Sequence, residues 1–137
     1  MAGIANVFIA DLSYTNCHFE GSPISALNFY WWQSEAWPKA FERITVQSCT
    51  FKAFGAHALT IISWPTDGDL DEKKDAYWYS KDITINDNHF YDAWTDDTPE
   101  DEASEAIAAG VVLNRCKNIE ARKNTFIRMA GSGFWMT

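Results

Sequence analysis

Short runs of alternating apolar and polar residues recur along this chain, and each run ends at a turn signal. In residues 82–90, DITINDNHF, Ile83 and Ile85 alternate with polar neighbours, Asn-Asp-Asn interrupts the run, and Phe90 follows. Alternation with a period of two predicts a strand with one buried face. A strand this short, with a core-type residue directly after the turn, indicates a chain that turns a corner every few residues.

The same pattern occurs four times, at residues 11–19, 43–51, 82–90 and 118–126, which we call the first to fourth repeats. Each repeat is followed by a second alternating strand, and without insertions a repeat is about 23 residues long. Aligned on the final Phe, the repeats place similar residues in shared columns. The predicted inward columns are Leu12, Ile44, Ile83 and Ile119; Tyr14, Val46, Ile85 and Ala121; Phe19, Phe51, Phe90 and Phe126; Leu27, Leu59, Val111 and Phe134; and Phe29, Ile61, Leu113 and Met136, while the turn column is Cys17, Cys49, Asn88 and Asn124.

A repeat of this length without helical periodicity excludes helix-pair solenoids. It resembles the coil of the pectin-lyase-like superfamily. The resemblance lies in the motif I-x-I-x-x-N-x-F and in the strand after it, where one small residue and two hydrophobic residues occupy alternate positions. The resemblance covers nearly the whole chain. It implies an all-β, right-handed parallel β-helix, a single-stranded solenoid that forms one domain over residues 1–137, with about four coils and three loop insertions.

Neither end of the sequence shows an amphipathic capping helix, and a solenoid with bare ends exposes apolar side chains and strand edges. We therefore expect a section of a longer β-helix, truncated at both ends, with flanking coils or oligomer partners at the open ends. The resemblance also favours an extracellular, cell-surface or virion location, although the sequence shows no signal peptide.

Charge and cysteine content narrow the function classes. The net charge of −8 argues against nucleic acid and anionic membranes as partners, and no apolar run approaches a membrane span. Three Cys without a C-x-x-C pair do not suggest a zinc site. Cys17 and Cys49 share the turn column, so we interpret them as packed thiols, and a disulfide between them stays open.

The insertions at residues 30–42, 63–81 and 94–106 combine Trp with carboxylates. In the resembled fold the second strands of the repeats together form what is called the first sheet. The first two insertions leave the same corner of successive coils and the third leaves the opposite side, which predicts a groove over this first sheet. Indole stacks on sugar C–H faces while carboxylates accept hydroxyl hydrogen bonds, so carbohydrate is the expected ligand. A Trp mini-core between the insertions is the alternative. The substrate-binding candidates are Trp31, Trp32, Trp37, Trp64, Trp78, Tyr79, Trp94, Asn114, Arg115 and Trp135.

Two outward columns of the first sheet bear on this groove. Ala26, Ala58, Gly110 and Gly133 form a column of small residues, which we expect to face outwards as a floor for a flat ligand, or to lie under a loop. Outward Asn28, Thr60, Val112 and Trp135 run beside it. His18 and His89, between turn and Phe, are expected on the solvated surface.

Glycosidases use two carboxylates about 5 to 9.5 Å apart. The catalytic candidates are Asp67 or Asp69 facing Asp96 or Asp97 across the groove, and solvated surface acids are the other interpretation. Asp67, Asp69 and Asp71 form a D-x-D-x-D run that suits Ca²⁺, the one cofactor candidate, although an EF-hand loop is excluded because Glu72 replaces its Gly.

The motifs of pectate lyases and of polygalacturonases are absent, so neither activity carries over. The sequence predicts a carbohydrate-active β-helix, part of a polysaccharide-degrading glycoside hydrolase or lyase that acts on neutral glycans. The alternative is a non-catalytic, glycan-binding or structural section of a phage tailspike or surface adhesin.

Overall fold

The structure, a computed structural model, describes residues 2–5, 10–22, 25–32, 41–64, 79–93 and 109–137, with backbone only for 2–5, 31–32 and 64. Within these ranges the chain forms thirteen strands and no helix. They are β1 (Ala2–Ala5), β2 (Ala10–Thr15), β3 (His18–Ser22), β4 (Leu27–Trp32), β5 (Glu42–Gln47), β6 (Thr50–Phe54), β7 (His57–Trp64), β8 (Ser80–Asn86), β9 (His89–Ala93), β10 (Ala109–Asn114), β11 (Cys116–Arg122), β12 (Thr125–Met129) and β13 (Phe134–Met136).

The strands pair in parallel and form three sheets, as expected for a β-solenoid. The first sheet has the order β1-β4-β7-β10-β13, the second β11-β8-β5-β2 and the third β12-β9-β6-β3. Every third strand along the chain therefore returns to the same sheet, beside the strand from the preceding repeat. The all-β, parallel architecture predicted from the sequence is confirmed at this level.

The register of the strands confirms the predicted columns. In the second sheet Ile44 pairs with Leu12 and Ile83, and Ile83 pairs with Ile119. In the third sheet the four Phe rings stack face to face, with centroids 4.8 to 4.9 Å apart and planes within 10°. Phe51 and Phe90, in the middle of this stack, are fully buried. The spacing of the rings is that of neighbouring strands, so one aromatic column follows the solenoid axis.

The turn column satisfies the backbone at the corner between the second and third sheets. Asn88 Oδ1 accepts a hydrogen bond from the Cys49 N–H (2.9 Å), and Asn88 Nδ2 donates to the Val46 carbonyl (2.9 Å). Asn124 makes the same two bonds in the next repeat: it accepts a hydrogen bond from the Asn88 N–H (3.1 Å) and donates one to the Ile85 carbonyl (2.7 Å). These bonds form a ladder of Asn side chains along the turn column that was predicted from the sequence.

Cysteine takes the asparagine position in the first two repeats. The Cys49 thiol donates to the Tyr14 carbonyl (3.5 Å), the bond that corresponds to the one from Asn88 to Val46. All three cysteines, Cys17, Cys49 and Cys116, are free. The thiols of Cys17 and Cys49 therefore act as packed donors in the turn column.

Each repeat holds left-handed backbone at the same three bends, although most residues there are not glycine. The left-handed region costs a residue with a Cβ roughly 1–2 kcal/mol, least for Asn and Asp. Recurrence at equivalent positions shows that the coil geometry demands it. The three columns are Asp11, Arg43, Asp82 and Asn118; Asn16, Ser48, Asp87 and Lys123; and Gly21, Ala53, Asp92 and Arg128.

The column of small residues packs against the core, contrary to the expectation that it faces outwards. Ala26 and Ala58 belong to the main buried cluster. A Cβ built on Gly110 would lie 2.4 Å from Phe126 Cε1, and one on Gly133 would lie 3.1 Å from the same ring. Gly110 and Gly133 have no room for a larger side chain because Phe126 approaches both of them, and Ala26 and Ala58 are buried in the core. They are therefore not an open floor for a ligand.

Candidate functional site

Two columns of the first sheet point away from the core and form what we call the outer face. Alternation over the central residues of β4, β7, β10 and β13 places them between the inward residues, and the register aligns them from repeat to repeat. The outer face consists of Asn28, Thr60, Val112 and Trp135 in one column and Tyr30, Ile62, Asn114 and Thr137 in the other.

The middle of the outer face is buried and its two ends are open. Thr60 is 0% exposed and Val112 is 6% exposed, and Val112 forms a small apolar cluster with Ile62 that is separate from the core. At the ends, Tyr30 is 37% and Trp135 42% exposed. The two aromatic residues are three rungs apart, or about 14 Å along the axis. The outer face is thus exposed at Tyr30 and Trp135 and shielded between them; the insertions that would form the walls of the predicted groove lie largely outside the described residues.

Three side-chain acceptors of the outer face lack hydrogen-bond partners. Within the part of the chain that the structure describes, no donor reaches Asn28 Oδ1, Thr60 Oγ1 or Asn114 Oδ1, and all three atoms are shielded from solvent. An unsatisfied buried acceptor costs on the order of 1–3 kcal/mol. Asn28 and Thr60 are register partners. Asn114 is the register partner of Ile62, two residues after Thr60, so the three unpaired acceptors lie in one patch.

The edge of the outer face beside Asn114 contains further polar groups. Asn114 Nδ2 donates to Thr137 Oγ1 at 2.7 Å, which fixes the amide with its oxygen as the unpaired atom. Arg115 follows at the corner with a left-handed backbone (φ 51°), held because its N–H donates to the Thr137 carbonyl and its own carbonyl accepts from the Ser80 N–H. Arg115 forms no ion pair with any other described residue.

His57 joins the outer face, and sequence reasoning missed it. Its ring meets Trp135 edge to face, with centroids 6.4 Å apart, and its Nδ1 accepts from the Ala109 N–H at 3.3 Å. Desolvation by burial lowers the pKa of His57, so the neutral imidazole with its proton on Nε2 fits this contact. The position of His57 at the start of β7, opposite Ala109 in register, was the only available signal.

The structure describes three further aromatic candidates in part. Trp31 and Trp32 end β4 and Trp64 ends β7, and Trp32 and Trp64 are register partners; only their backbone is described. Tyr79 packs against the core, and Lys117 Nζ lies 3.7 Å from the centre of its ring. A cation already occupies one face of Tyr79, which leaves it less suited to stack on a sugar.

The remaining candidates lie outside the described residues. They are Trp37, Trp78 and Trp94, the carboxylates Asp67, Asp69, Asp96 and Asp97, and Asp71 of the Ca²⁺ candidate. Among the residues that are described, no group of three His, Cys, Asp or Glu side chains is placed to hold a metal ion.

The titratable groups of the second and third sheets have structural roles. Arg43 lowers the pKa of Asp11 through a side-chain hydrogen bond, and Arg128 does the same for Asp92. Burial raises the pKa of the Cys49 thiol and raises that of Cys116 to about 12, so neither is a ready nucleophile. His18 and His89 are exposed on the third sheet, as predicted.

No helix in the described ranges is long and apolar enough to cross a membrane. Comparison of the chain with protein-family models, curated proteins and solved structures found no match in any of the three.

Proposed function

We propose that this protein binds a neutral oligo- or polysaccharide along the outer face of its first sheet. The observation that carries the proposal is the patch of three acceptors without donors, Asn28 Oδ1, Thr60 Oγ1 and Asn114 Oδ1. A sugar presents many hydroxyl donors on a rigid ring, which suits a row of acceptors on a rigid sheet. A glycan that binds here must open the shielded centre of this face.

The exposed aromatic residues support a chain-like ligand. Tyr30 and Trp135 lie at opposite ends of the outer face, about 14 Å apart along the axis. Each ring offers a flat apolar surface for the C–H face of a sugar. A glycan aligned with the solenoid axis would contact both rings and pass over the acceptors between them.

The finer features of the proposal follow from the sequence. We infer a right-handed coil like that of the pectin-lyase-like superfamily, built from about four coils. Hydrolase or lyase activity would belong to the insertions, with Asp67 or Asp69 opposite Asp96 or Asp97, and Ca²⁺ as a candidate ligand of Asp67, Asp69 and Asp71. A non-catalytic tailspike or adhesin section uses the same binding face without paired carboxylates.

Glycan-array binding, followed by assay of reducing-sugar release from every glycan that binds, tests the function. Trp135→Ala removes one stacking ring and is expected to weaken binding roughly threefold to tenfold. Thr60→Val keeps the side-chain shape but removes the acceptor, and its expected loss is similar. Thr45→Val, the same change on the second sheet, is the matched control and should bind normally.

The outcomes separate the alternatives. Binding with product release supports the enzyme, and binding without release supports the non-catalytic module. Absence of binding to any glycan, or equal binding by Thr60→Val, Trp135→Ala and the unaltered chain, would exclude the outer face as the site.

A further inference from the structure

Two of the three thiols lie in one column of the solenoid, in neighbouring repeats. Cys17 and Cys49 occupy the turn between the second and third sheets, where the later repeats carry Asn. The strands on both sides of this turn keep their register, because β2 pairs with β5 and β3 pairs with β6. Two residues separate the strands in each of the two repeats, so Cys17 lies directly beside Cys49.

The backbone at this turn suits a disulfide bond. Neighbouring parallel strands lie about 4.8 Å apart, and Cα atoms joined by a disulfide are about 4.4–6.8 Å apart. The residues before the two cysteines, Asn16 and Ser48, share the same left-handed bend, with φ 55° and 53°. The Thr50 N–H donates to the Cys17 carbonyl (2.9 Å), which ties the two turns together. The cysteines are therefore held side by side at a separation that a disulfide can span.

The Cys49 side chain is directed towards the first repeat. Its thiol donates to the carbonyl of Tyr14, which belongs to that repeat, at 3.5 Å. The Cys17 thiol donates to the Thr15 carbonyl (3.6 Å) in the same turn. Burial is the main cause of the raised pKa of the Cys49 thiol, and the backbone and the thiol of Cys17 also act on this pKa. The two thiols are therefore neighbours.

Cys116 is separate from this pair. It begins β11, at the corner between the first and second sheets, and its register partner is Ser80. Its thiol donates to the Ile61 carbonyl at 3.8 Å, on the side of the first sheet. Cys116 therefore serves as an internal control for any reaction of the other two cysteines.

We propose that Cys17 and Cys49 form a disulfide bond in an oxidising environment, and that this bond joins the first repeat covalently to the second. The structure holds the reduced form. With a small disulfide such as oxidised glutathione, one cysteine thiolate attacks and releases a glutathione thiolate, and the second cysteine then attacks the mixed disulfide and releases another. The two cysteines lose two electrons and two protons, which leave as two molecules of reduced glutathione.

The exchange belongs to the folding chain, because Cys49 is fully buried once the fold is complete. The bond encloses residues 18–48, which include the first insertion. Closing such a loop restricts the unfolded chain and thereby stabilises the folded one. The turn between the second and third sheets is not part of the outer face of the first sheet, so this inference does not depend on the proposed glycan.

Refolding from urea in a glutathione redox buffer tests the pairing. Peptide mass spectrometry after alkylation of the free thiols should find the link between Cys17 and Cys49, with Cys116 alkylated. The ratio of linked to unlinked chain should be at least tenfold higher in native buffer than in the same redox buffer with concentrated urea, because the fold holds the two thiols together.

Two variants assign the reaction. Cys116→Ser should keep the link. Cys49→Ser should lose it, and its hydroxyl can still donate to the Tyr14 carbonyl, so the turn keeps its bond. Circular dichroism of both variants establishes that each is folded.

Three results would overturn the inference. They are three free thiols in the refolded chain, a link to Cys116 in place of the link between Cys17 and Cys49, and a linked fraction that is no higher in native buffer than in urea.

Discussion

The Asn88 side chain binds the backbone of the preceding repeat at two points. Its amide bonds the Cys49 N–H and the Val46 carbonyl, and its own N–H is bound by Asn124, while the residue is fully buried. A turn of this kind leaves backbone groups without strand partners, and the amide supplies both a donor and an acceptor to them. The repeated Asn is therefore part of the scaffold.

Removing that amide gives the first prediction. Asn88→Ala leaves a buried N–H and a buried carbonyl unsatisfied, and should lower the free energy of unfolding by roughly 2–4 kcal/mol. Asn124→Ala makes the same change at a half-buried rung, where water can replace the lost bonds, so a smaller loss is expected. Urea denaturation of the two variants measures the difference, and equal losses would contradict this role for the ladder.

Residue identity predicts some features of this site and not others. The alternation of Ile83 and Ile85 fixes which side chains share a face, because side-chain direction in a strand has a period of two. His57 occurs once, outside every repeated column, so no periodic signal related it to Trp135. Asp67 and Asp96 lie in insertions without a repeat, so no register predicts the distance between them.

Among the elements, β7 and β10 show where regular alternation stops. Alternation along β10 predicts that Gly110 faces outwards, two residues before outward Val112. Instead Gly110 lies close against Phe126 of β12. In the sequence this crowding is visible only as a column of small residues, and small size alone does not distinguish an open surface from a crowded corner.

The crowding at this corner gives the second prediction. Gly110→Ala places a Cβ 2.4 Å from Phe126 and 2.8 Å from the Gly133 carbonyl, so the ring or the strand must shift. We expect a loss of roughly 1–3 kcal/mol in the free energy of unfolding. Gly133→Ala approaches the same ring at 3.1 Å, and a smaller loss is expected. Thermal unfolding of both variants is the measurement, and a stable Gly110→Ala variant would place the column outside the core.

For the whole molecule, ion pairs between repeats make stability sensitive to acid. Four carboxylates, two exposed and two half-buried, have their pKa lowered, mainly by side-chain hydrogen bonds from cations. They are Asp11 with Arg43, Glu20 with Lys52, Glu42 with Lys81, and Asp92 with Arg128. A carboxyl whose folded pKa lies below its unfolded value stabilises the fold above the unfolded value, and this contribution is lost as the pH falls through the folded pKa.

The third prediction follows from the sign of these shifts. The ordinary values are 3.8 for Asp and 4.5 for Glu, so the melting temperature should begin to fall near pH 4.5 and continue to fall as these carboxylates are protonated. Arg43→Met with Arg128→Met should flatten this decline slightly, because exposed pairs are screened by water and salt. Arg122→Met, which removes a cation paired with none of the four, is the control. A steeper decline in the double variant would contradict the assignment.

The parallel three-sheet architecture was predictable from the sequence because each repeat is constrained by its neighbours. A residue such as Phe90 must pack against Phe51 in the preceding repeat and Phe126 in the following one, so the same residue pattern recurs in every repeat of the sequence. A ligand surface has no such redundancy. The outer face carries Asn28, Thr60 and Val112 in one column, three different side chains that no repeat rule relates.

Hydrogen exchange of the whole chain, with and without saturating neutral oligosaccharides, tests the central claim most directly. If a glycan binds along the outer face, slowed exchange should appear in β4, β7, β10 and β13 and not in the second or third sheet. Exchange that no oligosaccharide changes, or protection confined to β2, β5, β8 and β11, would contradict the account.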